Sequence, residues 1–348
     1  MSRMRQLRHS IEQVMRPVIH KSSSKTRQSG KKLSAKTVAD RWGFFFRLPD
    51  ILDSLNFGLR DIRNLDRRHI AALLQYWEGL GRAAGTMQTY VSMLRTLCTE
   101  IGKAGMLDRP ETYFKDPTRY HRALKCNESK EWSDLGQDAV EVIAAIGQRD
   151  SLVGLQMVLM DAFGLRVQEA WLLRPKRDWK GDTLHIERGT KGGRPRVVPV
   201  INEHQRRVLE AAVKVATENG GSMVPSSYPL KRWRSYYYHV MAMFGVTRKG
   251  RGITSHGLRH GHLQRRYVEL TGMEPPVKAD GLRDRYACDD IAPARRELAE
   301  EAGHSRASVV SHYVGFDMDR RRSRAGRPRT RPWERVGMGP EAMDGRWP

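Results

Sequence analysis

Thr183-Leu-His-Ile-Glu-Arg188, then Gly189-Thr-Lys-Gly-Gly193, then Arg196-Val-Val-Pro-Val200: these neighbouring pieces hold the one convincing β signal in the chain. The outer two carry β-branched residues, and the glycine-rich middle suits a turn, so 183–200 reads as a hairpin. Outward from it, the periodicity is helical. Upstream, Leu152, Leu155, Leu159 and Phe163 predict a buried helix over 151–164, preceded by another at about 137–147. Downstream, helices are expected at about 203–217, 230–244 and 256–271, then short ones at 293–302 and 306–313. The expectation is a mainly α domain with a small β-hairpin or sheet.

The N-terminal third reads as wholly helical. Val38, Trp42 and Phe46 recur every four residues. Asp66 is placed to cap a helix whose apolar face is Ile70, Leu73, Leu74 and Trp77, ending near Gly79 and Gly81. Thr86 is the expected cap of the next, with Tyr90, Leu94, Leu97 and Ile101 on one stripe. A helical domain over 33–125 follows. The polar stretch of about 108–134, with Pro110, Pro117 and Asn127, leads into a linker placed at 126–135. The second domain spans 136–318.

Charge narrows the partner. The 348 residues carry a formal net charge of +23, with a pI near 10.3, which favours a polyanion, nucleic acid before membrane. Residues 1–32 hold nine Lys/Arg against Glu12, and residues 320–335 hold eight Arg against Glu334. Both ends therefore read as mobile basic arms, 1–32 and 319–348, able to neutralise phosphates without reading sequence. No apolar run is long enough for a membrane span, and no apolar signal core follows the basic start. Cys98, Cys126 and Cys288 are odd in number and far apart, fitting neither a disulfide framework nor zinc spacing; a reducing cytoplasm suits them.

Five local features of the second domain could carry chemistry. In Gly164-Leu-Arg166-Val-Gln-Glu169 an Arg follows an apolar helix and meets a Glu three residues on; alone, that is a common helix-face ion pair. Lys191 sits at the hairpin tip, where a Lys is ordinarily only solvated. In His256-Gly-Leu-Arg259-His260, His256 and Arg259 share a helix face near its start. His256 and His260 also have the i,i+4 spacing of zinc helices, but the intervening Glu and a third ligand are missing. Gly303-His304 and, nine residues later, Tyr313 complete the set; a Tyr at helical spacing is usually core, and its pKa of about 10 makes it a weak nucleophile unaided.

In order, Arg166, Lys191, His256, Arg259, His304 and Tyr313 resemble the Arg-Lys-His-Arg-His-Tyr active site of the tyrosine recombinase (phage integrase) family. The resemblance spans about 135–316, and the helical 33–125 region is similar to that family's SAM-like core-binding domain. The strings Gly-Leu-Arg-x-x-Glu, His-x-Leu-Arg-His and Gly-His-Ser-x7-Tyr carry most of it. Two departures stand out: an insertion around 272–293 widens the gap between Arg259 and Gly303, and Val167-Gln168 replaces the small polar residue that often precedes the Glu.

The resemblance implies a site-specific DNA recombinase that cuts and rejoins strands through a 3′-phosphotyrosyl bond, serving a mobile element in a bacterial cytoplasm. Two planar Arg forks suit the non-bridging oxygens of a five-coordinate phosphorus. Lys191 would protonate the leaving 5′-oxygen, His256 would accept the proton of Tyr313, and His304 would hydrogen-bond the phosphate. The bond energy is conserved in the phosphotyrosine, so no metal, nucleotide or other cofactor is expected. Expected partners are double-stranded DNA, three further copies in a homotetramer, and an accessory DNA-bending or directionality protein, with no membrane. A type IB topoisomerase and a catalytically silent DNA-binding protein are the competing readings.

Overall fold

A computed structural model describes residues 2–21, 33–121, 128–279 and 291–315. It divides into two compact units, Met1–Ala123 and Leu124–Pro348.

The first unit is helical: α1 (Arg3–Met15), α2 (Ala35–Phe45), α3 (Leu48–Ser54), α4 (Arg67–Gly79) and α5 (Ala84–Glu100). Asp66 caps α4 as expected; its carboxylate accepts from the backbone N–H of Arg68 and His69, while His69 Nδ1 accepts from the Asp66 N–H. Ile70, Leu73, Leu74 and Trp77 are buried beneath it. Thr86 is not a cap: α5 begins at Ala84 without a side-chain cap, and its buried stripe is Met87, Val91, Leu94, Leu97 and Cys98. The expected N-terminal arm is also corrected. Residues 3–19 are part of the core, with Leu7, Ile11, Met15, Val18 and Ile19 buried among residues of α2 to α5. Two of the arm's arginines are spent inside the unit, Arg3 on Asp53 and Arg8 on Asp50. Leu7, Ile11 and Met15 repeat every four residues, so the apolar face outweighs the surrounding charge. Residues 22–32, Cys126, Cys288 and the Arg-rich 319–348 lie outside the described residues.

The second unit begins with a strap. Trp132 is buried, and its Nε1 donates to the carbonyl of Thr254 at 2.9 Å. Then follow α6 (Ala139–Arg149), α7 (Ser151–Phe163), α8 (Val167–Leu172) and α9 (Pro175–Asp178). The sheet has three antiparallel strands in sequence order: β1 (Trp179–Lys180), β2 (Thr183–Ile186) and β3 (Arg196–Pro199). The predicted hairpin is β2–β3, with Ile186 opposite Arg196; β1 is an addition, a two-residue strand too short for any periodicity. Next come α10 (Glu203–Glu218), α11 (Leu230–Met243), α12 (Ser255–Thr271), α13 (Ala292–Glu301) and α14 (Ser311–Val314). The single helix expected at 306–313 is two pieces, a 3-10 turn at Ala307–Val310 and then α14.

This domain is mainly α with one small sheet. α7 is apolar nearly all round and lies in the main core, with α12 packed beside it. A smaller core of Leu263, Tyr267, Leu298, Ala299, Val310, Tyr313 and Val314 joins α12, α13 and α14. Part of the 272–293 insertion is anchored: the Val277 N–H donates to the Val314 carbonyl, and Lys278 pairs with Glu131 and Asp134. No helix among the described residues is long and apolar enough to cross a membrane.

Candidate active site

Helix ends converge on one point. Helix α7 stops at Gly164, whose left-handed φ of 57° turns the chain and exposes its carbonyl. A Cβ there would lie 2.6 Å from His262 Cδ2, so glycine is required twice over. Helix α13 stops similarly at Gly303, at φ 71°, where a Cβ would lie 2.9 Å from Arg196 Cδ. The freed carbonyls of Gly164 and of Ala302, at the end of α13, point into the space between, and arginines from three elements fill it.

Arg259, on the first turns of α12, is fully buried. It donates Nη1 to the Gly164 carbonyl, Nη2 to the Ala302 carbonyl at 2.7 Å and Nε to Tyr313 Oη at 3.3 Å. Arg166, at the N-cap of α8, donates Nη2 to the same Ala302 carbonyl at 3.0 Å and Nη1 to Glu169 at 2.6 Å. Glu169 also accepts from the Arg166 backbone N–H at 2.8 Å. The Arg-x-x-Glu string is therefore an ion pair, and it also closes the start of α8. Burial alone would raise the Glu169 carboxyl, but Arg196 and then Arg166 and Arg259 outweigh it and hold it at about 2.

Tyr313 is nearly buried, with its phenol facing three histidines and an arginine. His304 Nε2 lies 3.3 Å from Tyr313 Oη; the ring of His256 lies 6.0 Å away, centroid to centroid, and that of His260 lies 4.8 Å away. The Arg259 guanidinium stands 5.3 Å from the phenol ring centre. Desolvation, followed by the charges of neighbouring arginines and lysines including Lys191, pushes both His256 and His304 down to about 4. Both imidazoles are thus neutral near pH 7 and able to accept a proton. Desolvation lowers the Arg259 guanidinium to about 10, still charged at neutral pH.

The structure brings Arg166, His256, Arg259, His304 and Tyr313 together and leaves Lys191 on the exposed hairpin tip, near enough for its charge to reach both histidines. His304, rather than His256, stands at hydrogen-bonding distance from the phenol. Sequence reasoning missed Arg196, buried on β3, and Gln264, buried on α12, whose amide donates to the Tyr313 carbonyl at 3.0 Å. A basic residue at an inward-facing strand position was the available signal for Arg196. Among the described residues no group of His, Cys, Asp and Glu could hold a metal ion, and His256 and His260 face Tyr313 instead.

Comparisons with known proteins give the family and the fold. A model described as Integrase matches residues 128–265, and one described as Phage integrase, N-terminal, matches residues 24–107; together they cover well over half of the chain. The fold is similar to that of a lambda integrase dimer bound to a COC′ core site, at 15% identity and a TM-score of 0.58, covering 88% of this chain and 77% of that one. It is similar also to XerH site-specific recombinase bound to difH substrate, at 14% identity and a TM-score of 0.54, over 93% and 96%. A third likeness is to the Tn1549 transposon integrase in complex with transposon right end DNA, at 16% identity and a TM-score of 0.53, over 94% and 100%. No curated protein matches the chain. On its two family matches and the convergence of Arg, His and Tyr, the chain belongs to the tyrosine recombinase (phage integrase) family and is a tyrosine-type site-specific recombinase.

Proposed function

We propose that this recombinase cuts and rejoins duplex DNA through a 3′-phosphotyrosyl bond to Tyr313, as the integrase of a mobile element in a bacterial cytoplasm. The observation that carries the reading is the Tyr313 phenol, 3.3 Å from both Arg259 Nε and His304 Nε2. In the proposed step Tyr313 Oη attacks the phosphorus and the phosphorus–O5′ bond breaks. The phenolic proton passes to His304, and the Lys191 ammonium protonates O5′. Arg166 and Arg259 keep the Ala302 carbonyl and offer their remaining N–H groups to the non-bridging oxygens, where charge accumulates. His256 donates or accepts at the rim. The cations that depress both histidines are offset by an arriving phosphate, so the bases strengthen when substrate binds. The 5′-hydroxyl of a partner strand reverses the attack.

Recombination needs two cut duplexes held together. The lambda integrase tetramer bound to a Holliday junction, similar in fold at a TM-score of 0.55, supports a homotetramer on DNA, with any accessory bending or directionality protein joining it there. The test uses nicked duplexes spanning the joined ends of the DNA element that carries the gene. Wild-type protein is expected to accumulate a denaturation-resistant adduct and Tyr313→Phe none. Adduct in the Phe variant, or none in the wild type, overturns the assignment; site-independent relaxation of supercoils would show a topoisomerase instead.

A further inference from the structure

The charge of Arg196 is fully desolvated, yet nothing in the chemistry above uses it. Its side chain is 2% exposed on β3, joined through Glu169 to the clamp arginine Arg166. A lone buried guanidinium is costly, so its partners show what it is for. Nη2 donates to Glu169 Oε2 at 2.8 Å and to the Gly164 carbonyl at 3.2 Å, and Nη1 donates to the Glu301 carbonyl. Each acceptor is shared with, or adjoins one used by, a clamp arginine. Glu169 also holds Arg166, the Gly164 carbonyl also holds Arg259, and Glu301 precedes Ala302, whose carbonyl both arginines grip.

We propose that Arg196 is a positioning residue that sets the two clamp arginines in register, by sharing Glu169 with Arg166 and the Gly164 carbonyl with Arg259. Its hydrogen bonds go to Glu169, Gly164 and Glu301, so it holds the clamp by contact, while its charge reaches Tyr313 and His304 only through space. The glycine at 303 belongs to the same device, since a Cβ there would lie 2.9 Å from Arg196 Cδ. β3 also forms the base of the Lys191 hairpin, so the same side chain ties the hairpin to the clamp.

The inference rests on the phosphotyrosyl reading, and the test separates the two. The substrate is the nicked duplex already described, with one non-bridging oxygen at the cut phosphate replaced by sulfur in each of its two stereochemical forms. Forks fixed in place tell the two oxygens apart, so wild-type protein should cleave one form faster. In Arg196→Met and Arg196→Lys the ratio should move toward one. Cleavage of the all-oxygen substrate should fall by about 10- to 100-fold in the Met variant, the scale of a clamp displaced by about 1 Å, with partial rescue by Lys. DNA affinity should stay within about twofold, since Arg196 is sealed from the surface. A variant that merely folds poorly loses active molecules but keeps the ratio. An unchanged ratio, an undiminished rate in the Met variant, or a wild-type ratio of one overturns the proposal. Absence of any wild-type adduct overturns the phosphotyrosyl reading instead.

Discussion

Replacing Glu169 by Gln keeps the shape of the side chain and removes the charge between two arginines. The carboxylate is fully buried, with Arg166 on one oxygen and Arg196 on the other. Two routes give the cost. Removing one partner of a buried ionic cluster typically destabilises by about 3–5 kcal/mol, because the remaining charge stays desolvated. Independently, the carboxyl is held at about 2 against its ordinary 4.5, a linkage worth roughly 3 kcal/mol. For a unit of this size that corresponds to a fall in Tm of about 6–20 °C. The acid direction is fixed by sign: the folded carboxyl titrates below the unfolded one, so its stabilisation is complete above pH 4.5 and is lost as pH falls through about 2. Urea unfolding followed by circular dichroism at pH 7, 5.5 and 3.5 should therefore show the gap between wild type and Glu169→Gln narrowing by roughly 1 kcal/mol over the last two points. A loss of less than about 1 kcal/mol at pH 7, or a gap that widens in acid, would refute the account of how the clamp is held.

Deleting residues 1–21 removes Leu7, Ile11, Met15, Val18 and Ile19 from the first core. At about 1.5–3 kcal/mol each this rivals a whole domain's stability, so the first unit should lose its cooperative melt and become protease-sensitive, whereas an unchanged melt would restore a loose arm. Since His256 and His304 are held at about 4, kcat/KM for adduct formation should stay level below the ordinary histidine value of 6.5 and fall only through about 4. An acid limb near 6.5 in initial rates on folded protein would contradict it.

The helices and the hairpin were legible because their signals are local. Asp66 before an apolar stripe, and Leu152 to Phe163 at helical spacing, need nothing from elsewhere in the chain. Of the six residues that form an ordered set in the sequence, each ordinary when taken alone, five stand together in the structure. What stayed hidden is what depends on partners distant in sequence. Arg196 meets Glu169, Gly164 and Glu301 across 27, 32 and 105 residues, and a strand Arg looks the same whether it faces water or carboxylate. Helix α1 was obscured because its arginines dominate composition while only every fourth residue reaches the core. Which histidine stands beside the phenol was hidden for the same reason: His256 and His304 are chemically equivalent in sequence, and only the packing of α14 puts Tyr313 Oη beside His304.

In the proposed reaction Tyr313 becomes the protein's covalent link to DNA. Mass spectrometry of the adduct, after exhaustive nuclease and protease digestion, reads this atom by atom. A single modified tryptic peptide, 307–320, carrying a 3′-linked nucleotide phosphate on Tyr313 is expected. The same mass on Tyr267, on a serine, or on any residue outside that peptide would contradict it.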